Sequence, residues 1–557
     1  MGMNSVFKKM TPVEKEILEV WKAAYPSSAY VHGFENYAGR ILIPTKSNLV
    51  NLKRQVRDLK RKTSNREHLK FLDSVLVDLE FFEPYVVPSA VTNVFFYHMV
   101  KEGINVEHMK SLALLSLKAL RKAQAWLRKT EWPVEVRIVT TQKTNGLIGI
   151  LNKLKGDAAD PSLKRAIDKA IAEAKEYRKA FLVEGVEKGD FTEVFPILKK
   201  NGGDIGHKRI YPRILKKQFD YPESADRIEK KALKWMKAWQ PKLDKAITKL
   251  AAKYRVAASA EKVDEEMNKR RSVPKAQALE FVKGLRAVAQ NVFGKNAVRI
   301  TPKYDTRVIE TPSFLTSFIP SGATSSLDTA TDKPFNLFYV TTDEKWSPAS
   351  NIPDLMQLIL HEEYGHAVNF SNSATAFGAQ PSPLSLLETA LCLPISDGIA
   401  FHREYEFVDL LKDLVKRKSL DSDERRMLEI LRGGADDETM VLENEYVMLT
   451  WRMVRFLRAV FDVRVNMGKQ TLAEFVEWGS KQTGISRKRI FDQTFLFLAT
   501  VGYAPCYSMA GEALRELQKL AKKNGKSVID FNTYASALGF PGRTIFEQKL
   551  RDFATVK

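Results

Sequence analysis

Long segments in which helix-breaking residues are scarce most constrain the fold of this chain. Residues 160–200 and 222–270 are rich in Ala, Lys and Glu and contain few Gly or Pro. Such composition over windows of this length favours long helices. Short β-branched or aromatic runs at 297–300, 307–310 and 336–340 are separated by Pro and Gly, which is typical of strands and loops. The sequence therefore predicts a mainly α fold with a small sheet.

A helix start signal lies near the N-terminus. Thr11 is followed by Pro12 and then by Glu14, three positions after the threonine. A threonine side chain can accept from the third backbone amide of a helix while the glutamate binds back to the threonine amide. Proline is favoured at the first helical position. The sequence therefore predicts a first helix over residues 11–30.

Positive charge is concentrated in the first part of the chain. Residues 1–300 contain 58 Lys and Arg against 34 Asp and Glu, whereas residues 301–557 contain 30 against 33. Together with the change to strand-like composition, this difference predicts a basic helical N-terminal lobe over 1–295 and a second lobe over 296–557. We expect the second lobe to contain a sheet over 296–342, a motif-bearing helix over 352–370 and the C-terminal helices.

The basic lobe raises the question of nucleic acid as a partner. Clustered Lys and Arg can attract nucleic acid or acidic peptides through long-range electrostatics. Aromatic residues do not alternate with the charges of residues 46–80 as they do in platforms that stack single-stranded bases. Lysine-rich helices also commonly present a solvated face. Nucleic acid is therefore the less favoured partner.

The chain carries no sequence signal for membrane insertion or secretion. No apolar run approaches the roughly 20 residues that span a bilayer. The N-terminal segment lacks the apolar core and small-residue cleavage site of a signal peptide. The two cysteines, Cys392 and Cys506, are expected to be reduced core residues. These observations predict a cytoplasmic protein without a membrane partner.

A motif that resembles a metal-binding helix, but with one extra residue between its histidines, lies near the centre of the chain. His361 and Glu362 are followed by His366, whereas a zinc-peptidase helix carries its histidines at i and i+4. Histidines at i and i+5 of a regular helix lie about 140° apart and cannot both reach one ion. A single π-bulge between Glu362 and His366, at the flexible Gly365, would bring them together. The alternative is a regular helix that carries two unrelated histidines.

Acidic residues and histidines surround this motif. No Lys or Arg occurs between Trp346 and His402. Such an interval predicts an acidic pocket suited to a divalent cation, which nearby ammonium groups would repel. Two histidines need at least one further protein ligand to hold zinc with a position open for water. Spacing alone does not choose among Glu388, Asp397, His402 and Glu404.

Two stretches, residues 361–366 and residues 397–404, resemble motifs of helical zinc peptidases of the thimet oligopeptidase and carboxypeptidase Taq type. They are more similar still to a prokaryotic family with a His-Glu-x-x-Pro-Gly-His motif followed by Glu-Gly-Trp-Ala-x-Tyr-x-Glu. Residues 361–366 resemble the first motif with one residue removed at the proline. Residues 397–404 resemble the second, with Asp, Ile and His in place of Glu, Trp and Tyr. The resemblance covers roughly residues 310–515.

The resemblance implies a set of site residues. Asp397 would be the third metal ligand, with Glu388 as its rival, and Glu404 and His402 would support the ligands from outside. Two tyrosines in the run from Gly502 would donate to the tetrahedral oxyanion. An edge strand would pair with the substrate backbone. The tyrosines are Tyr503 and Tyr507, and the strand residues are Phe338, Tyr339 and Val340.

The resemblance also implies a fold and a function. The fold would be a two-lobed helical metallopeptidase-like body with a small antiparallel sheet beside the zinc helix. The function would be hydrolysis of short peptides, by a carboxypeptidase or oligopeptidase, in a channel between the lobes. Zinc or another divalent metal would activate water, and Glu362 would act as general base. An inactive peptidase-like scaffold that binds peptides or a protein partner is the alternative and predicts little metal. A nucleic-acid-binding protein would show salt-sensitive binding.

Overall fold

The computed structural model describes residues 2–187, 189–312, 315–316, 319, 321–343 and 350–556. Helices dominate these ranges, as the sequence predicts. Those before the sheet are α1 (Pro12–Ala24), α2 (Pro26–Val31), α3 (Lys46–Arg61), α4 (Arg66–Glu80), α5 (Val86–Glu102), α6 (Val106–Leu127), α7 (Val134–Asp157), α8 (Pro161–Phe181), α9 (Phe191–Asn201), α10 (Tyr211–Arg213), α11 (Ala225–Tyr254), α12 (Ala260–Arg270) and α13 (Lys275–Asn296).

The sheet and the remaining helices follow α13. The strands are β1 (Thr306–Glu310), β2 (Gly322–Leu327) and β3 (Phe335–Val340). The helices after them are α14 (Ile352–Ile359), α15 (Val368–Ala374), α16 (Cys392–Lys416), α17 (Ser422–Arg432), α18 (Asp437–Asn466), α19 (Leu472–Thr483), α20 (Arg487–Thr494), α21 (Cys506–Lys523), α22 (Val528–Ala537) and α23 (Arg543–Thr555).

The helix start predicted at Thr11 is confirmed. The Thr11 side chain accepts from the Glu14 amide, and the Glu14 carboxylate accepts from the Thr11 amide at 2.7 Å. The predicted single helix is in fact two, α1 and α2. The break lies at Tyr25, whose φ of −128° and ψ of 62° are not helical, because the ring of the following Pro26 disfavours helical backbone at the preceding residue.

The three strands form a mixed sheet rather than the predicted antiparallel one. Their order is β1-β3-β2, so that β3 lies in the centre. β3 pairs in parallel with β1 and antiparallel with β2. Consecutive strands β2 and β3 can run antiparallel across a short connection, whereas β1 precedes both and pairs with the far edge of β3 in the parallel sense.

Two of the three predicted strands are confirmed. They correspond to β1 and β3. The prediction at residues 297–300 was wrong, because the Val298 amide donates to the Phe293 carbonyl at the end of α13 instead of pairing with a strand. Strand β2 was not predicted. Its sequence of Gly, Ala, Thr, Ser, Ser and Leu contains one β-branched residue and no aromatic one, so it lacks the run of such side chains that usually marks a strand.

Hydrophobic cores cross the predicted lobe boundary. One cluster combines Met236 and Leu243 of α11 with Tyr446 and Phe456 of α18. Another joins α5 to α8 with side chains of the sheet, including Leu337. Residues from both sides of position 295 therefore share hydrophobic cores, and the division into two lobes stays a prediction.

Glycines let three segments around the central motif approach each other closely. A Cβ atom on Gly365 would lie 2.4 Å from the Cβ of Ala400 in α16. A Cβ on Gly398 of α16 would lie 2.5 Å from that of Ala510 in α21. A Cβ on Gly511 would lie 2.3 Å from the ring of Phe401. These separations are far inside van der Waals contact, so only glycine fits.

Substitution of Gly365 by alanine tests this packing. We expect Gly365→Ala to lower the free energy of unfolding by at least about 1–3 kcal/mol, because the added methyl meets the Ala400 side chain and backbone. Gly294→Ala in α13 is the matched control, since a Cβ at that position would point into open space. It should be neutral or stabilising by up to about 1 kcal/mol. Urea denaturation measures both, and equal stability of the two variants would contradict the packing argument.

Candidate metal centre

The central helix is distorted where the motif requires it. A π-helical segment, Leu360–Ala367, joins α14 to α15 without a break. The widened turn absorbs one residue, so that His361 and His366 lie side by side with ring centroids 4.9 Å apart and ring planes at 89°. The predicted distortion between Glu362 and His366 is confirmed. Gly365 is not among the residues with positive φ, so its role there is close packing rather than unusual backbone.

The two histidines converge on Asp397. The Nε2 atoms of His361 and His366 each lie 3.6 Å from the Asp397 Oδ1 atom. The candidate ligand atoms of all three side chains lie within 4.8 Å of one another. Ligand atoms of a tetrahedral zinc site, about 2.1 Å from the ion, are roughly 3.4 Å apart. The cluster therefore has the donor types and the spacing of a three-ligand site with an open fourth position.

Each histidine is oriented by a hydrogen bond on its other ring nitrogen. The Nδ1 atom of His361 lies 2.8 Å from Glu404 Oε1, and that of His366 lies 2.6 Å from Ser396 Oγ. Arg455 binds the other oxygen of Glu404. Such outer partners fix a ligating imidazole so that the remaining nitrogen faces the ion. Both Nε2 atoms are thus directed to the Asp397 side of the cluster.

One helix supplies the three oxygen groups of this arrangement. Ser396, Asp397 and Glu404 all belong to α16 and are buried. Asp397 and Glu404 are seven residues apart, close to two helical turns, so they share a face of the helix. The Gly365–Ala400 contact presses this face against the π-helical segment. The short aspartate arm therefore reaches the histidines.

The pKa values of the two histidines are shifted in opposite directions, so that one positive charge is favoured in the cluster and a second is not. Burial lowers the pKa of His361, but hydrogen bonds to Asp397 and Glu404 outweigh it and raise this pKa to about 9. Burial and repulsion by His361 lower the pKa of His366 to about 4. Burial raises the pKa of Asp397, yet the two histidines bring it below its ordinary value. A cation is therefore favoured at this point.

Glu362 is a buried carboxyl beside the cluster. Burial, followed by the charge of Asp397, raises its pKa above the ordinary range, and His361 opposes this shift. Its side chain belongs to the π-helical segment, adjacent in sequence to a candidate ligand. The Thr324 hydroxyl of β2 donates to the Glu362 backbone carbonyl at 2.9 Å. This contact attaches the segment to the sheet.

Two tyrosines approach the cluster from the start of α21. The hydroxyl groups of Tyr503 and Tyr507 lie 2.8 Å apart. The Tyr503 hydroxyl bonds to Asp397 and thereby lowers the pKa of this carboxyl. The ring of Tyr507 is stacked at 6.0 Å from that of His361. Both hydroxyls therefore lie at the candidate centre, where the resemblance placed them.

A turn anchored by Asp462 carries the tyrosines. Gly502 adopts φ +85°, and a Cβ there would meet Ile214 at 2.8 Å, so the position requires glycine. The Gly502 amide donates to Asp462 Oδ1 at 3.2 Å. The Tyr211 hydroxyl donates to Asp462 Oδ2 at 2.7 Å. Burial is the main cause that raises the pKa of Asp462 to about 7.

Two predicted site residues lie outside the cluster. The Glu388 carboxylate accepts from the Ser28 hydroxyl at 3.0 Å, and Glu388 does not belong to the metal-competent group. His402 is buried on another face of α16, with its Nε2 atom 3.4 Å from Glu406. At position 402 the helix turns the side chain away from the face shared by Asp397 and Glu404. Glu388 as rival ligand and His402 as a supporting residue are therefore corrected.

The predicted substrate strand is also corrected. Phe338, Tyr339 and Val340 are fully buried. They lie in β3, which is hydrogen-bonded on both sides and has no free edge. The sequence alone does not distinguish a central apolar strand from an edge strand, because both kinds of strand contain β-branched and aromatic residues. The edge strand that contacts the π-helical segment is β2, through the Thr324 hydroxyl and the Glu362 carbonyl.

Helix α18 contributes arginines that the sequence argument missed. Arg455 contacts Glu404 and lies 3.3 Å from His361 Nδ1. Arg458 lies over Tyr507, with 5.9 Å between the guanidinium carbon and the ring centroid. The centre is therefore not free of cations, although the surrounding sequence is. Arginines at three-residue spacing within an apolar helix were the available signal, and Ser396 directly before Asp397 was another.

Comparisons with known proteins inform the fold. No protein-family model matches the chain, and no curated protein matches it in sequence. The chain is similar in structure to a "putative lipoprotein" from Colwellia psychrerythraea, with 13% identity, TM-score 0.65 and coverage of 98% of this chain and 99% of that one. It is also similar to a "putative lipoprotein of unknown function" from Shewanella oneidensis, with 15% identity and a TM-score of 0.65. That match covers 97% of this chain and 98% of the other. At such identities the likeness shows the fold alone.

Neither description names an activity or a metal for those proteins. Within the described ranges, no helix is both long and apolar enough to cross a membrane. The predicted cytoplasmic location, the zinc and the peptidase activity stay predictions.

Asp462 yields a pH-dependent stability. Its folded pKa of about 7 exceeds the ordinary 3.8, so the folded state binds the proton more tightly than the unfolded state. Its contribution is fully present below about pH 4 and is lost as the pH rises through 7. Between pH 5 and pH 7 the free energy of unfolding of the wild type should therefore fall by about 2 kcal/mol relative to that of Asp462→Asn, which has no titrating group at this position. Urea unfolding across this range measures it, with the exposed Asp409→Asn as control; parallel curves for all three proteins would contradict it.

Metal content tests the centre directly. We expect protein purified without chelators to carry about one equivalent of zinc or another divalent ion. Asp397→Ala should lose it, because two imidazoles alone do not complete the site. His108→Ala, which removes a histidine paired with Glu102 elsewhere, should retain it. Elemental analysis measures the content, and metal retained by Asp397→Ala, or absent from wild type after zinc dialysis, would contradict the assignment.

Proposed function

We propose that this protein is a metal-dependent peptidase whose His361, His366 and Asp397 hold zinc or another divalent ion. The observation that carries the proposal is the π-helical turn that brings both Nε2 atoms within 3.6 Å of one Asp397 oxygen. A distortion of this kind concentrates at functional sites. The Nδ1 atoms are both engaged elsewhere, as expected for ligating imidazoles.

Glu362 is the proposed general base. A divalent ion held by the three ligands would polarise the attacking water and the scissile carbonyl. Glu362 would take the proton from water and deliver it to the leaving amine. Its raised pKa supports this role, since a base works best when its pKa lies near the operating pH. Burial raises the affinity of the carboxylate for a proton, so Glu362 is a stronger base than a solvent-exposed glutamate.

Tyr503 and Tyr507 are the proposed donors to the oxyanion. Their hydroxyls are 2.8 Å apart and lie on the Asp397 side of the cluster. Burial, followed by the charge of Asp397, raises both tyrosine pKa values, so both hydroxyls keep their protons at neutral pH. Donors that are already oriented where negative charge develops lower the barrier most.

The edge strand β2 is the proposed site for the substrate backbone. Thr341 donates to Ser321 at 2.9 Å, so the alternation of an antiparallel pair turns the backbone groups of Gly322, Thr324 and Ser326 away from β3. Within the described ranges, no other backbone group pairs with this edge. A peptide could add to it as a further strand. Thr324 links this edge to the segment that carries Glu362.

Arg458 favours a substrate with a negative charge near the scissile bond. Its guanidinium donates to the backbone and side-chain oxygens of Gln493. No carboxylate pairs with it among the residues described. A C-terminal carboxylate of a short peptide would supply the missing anion. This supports a carboxypeptidase or oligopeptidase over an enzyme that cleaves inside folded proteins.

Glu362→Gln tests the reaction. We expect the variant to keep its metal and to lose at least about 10²-fold in kcat on a panel of short peptides, because the amide cannot accept a proton. Glu388→Gln is the matched control, since this glutamate lies against Ser28 and not at the cluster. It should retain wild-type turnover. Full activity in metal-loaded Glu362→Gln would refute the role, and no activity in metal-loaded wild type would favour the scaffold alternative.

A further inference from the structure

Three cationic side chains converge on one tryptophan behind the metal centre. The indole of Trp239 in α11 has the Lys242 ammonium nitrogen 3.9 Å from its ring centroid. The guanidinium carbons of Arg452 in α18 and Arg515 in α21 lie 4.6 Å and 5.2 Å from the same centroid. Cation–π contacts stabilise each cation singly, but the three positive charges repel one another.

The cluster contains more positive than negative charge. Glu512 is the carboxylate that its arginines contact, at 2.5 Å from Arg452 Nη2 and 3.4 Å from Arg515 Nη1. The nearby Glu445 is paired with Lys412 at 2.8 Å. Within the described ranges, no ion pair is formed by Lys242. Three cations thus share one carboxylate.

Donor groups of the two arginines are buried without an acceptor. Nε and Nη1 of Arg452 and Nε of Arg515 have no hydrogen-bond partner and no appreciable solvent contact. The Arg452 side chain is 1% exposed. Leaving such donors unpaired costs free energy, which an acceptor bound from solution would recover. An anion that accepts hydrogen bonds would pair these donors and would also offset the excess positive charge.

The cluster is open to solvent on one side. Lys242 is exposed, and the Arg515 side chain is 17% exposed. Partial burial and repulsion by Arg515 and Arg452 lower the pKa of Lys242. The Tyr405 hydroxyl, 3.4 Å from Arg515 Nη2, adds a polar group at the same place. A small ion could therefore enter from the Lys242 side.

We propose that Lys242, Arg452 and Arg515 form a binding site for a small inorganic anion beside Trp239. The ligand class is a halide or an oxyanion such as phosphate, which guanidinium groups recognise by charge-assisted hydrogen bonds. The aromatic walls of Trp239 and Tyr405 restrict its size. This site is separate from the metal ligands and does not depend on peptidase activity.

Isothermal titration calorimetry on the full-length protein tests the proposal. Sodium chloride and sodium phosphate are titrated separately, at constant ionic strength maintained with gluconate. We expect saturable binding of at least one anion to wild type. Arg515→Gln should weaken it at least about tenfold, since one charge-assisted hydrogen bond is lost. Lys242→Gln should weaken it as well, while Lys245→Gln, at another exposed position of α11, should not.

A thermal melt in the same buffers gives a second readout. The binding anion should raise the Tm of wild type and of Lys245→Gln, because a ligand that binds only the folded state stabilises it. Binding of chloride alone would identify a halide site, and binding of phosphate alone an oxyanion site. Absence of saturable binding by both anions, or equal affinity in Arg515→Gln and wild type, would overturn the proposal. Arg515 and Lys242 are partly exposed, so their variants should fold.

Discussion

The candidate centre depends on how closely three helical segments approach one another. Where Gly365 meets Ala400 and Gly398 meets Ala510, a side chain on either glycine would keep the segments apart. Asp397 has a shorter arm than the glutamate found in the similar family motif. Its carboxylate reaches the histidines because the helices touch through backbone and methyl groups. The geometry of the candidate ligands therefore depends on helix packing as much as on the identity of the three side chains.

The π-helical turn solves a problem of angle rather than distance. Five residues separate the histidines, and a regular helix would direct them about 140° apart. Widening the turn restores a common direction, and the hydrogen bonds of Glu404 and Ser396 then fix each ring. Backbone distortion and side-chain anchoring contribute at different levels. The first brings the imidazoles together, and the second selects which nitrogen faces inward.

Sequence patterns predicted the local features and missed the long-range ones. The capped start at Thr11, the helical class and the π-distortion could be derived because each depends on residues a few positions apart. Strand order, the buried state of Tyr339 and the arrival of Arg455 depend on packing between distant segments. Glu388 and Asp397 both offered a carboxylate at a plausible spacing. Only the path of α16 and the chain before it decides that Glu388 meets Ser28 instead.

Helix α18 carries three residues that contact separate parts of the structure around the candidate centre. Arg452, Arg455 and Asp462 lie within ten residues of each other, a span of about 15 Å along the axis. They contact the tryptophan cluster, the partner of His361 and the tyrosine turn. Insertion or deletion of one residue in this span would rotate everything beyond it by about 100°. The middle of α18 should therefore be fixed in length among related proteins, whereas its ends can vary.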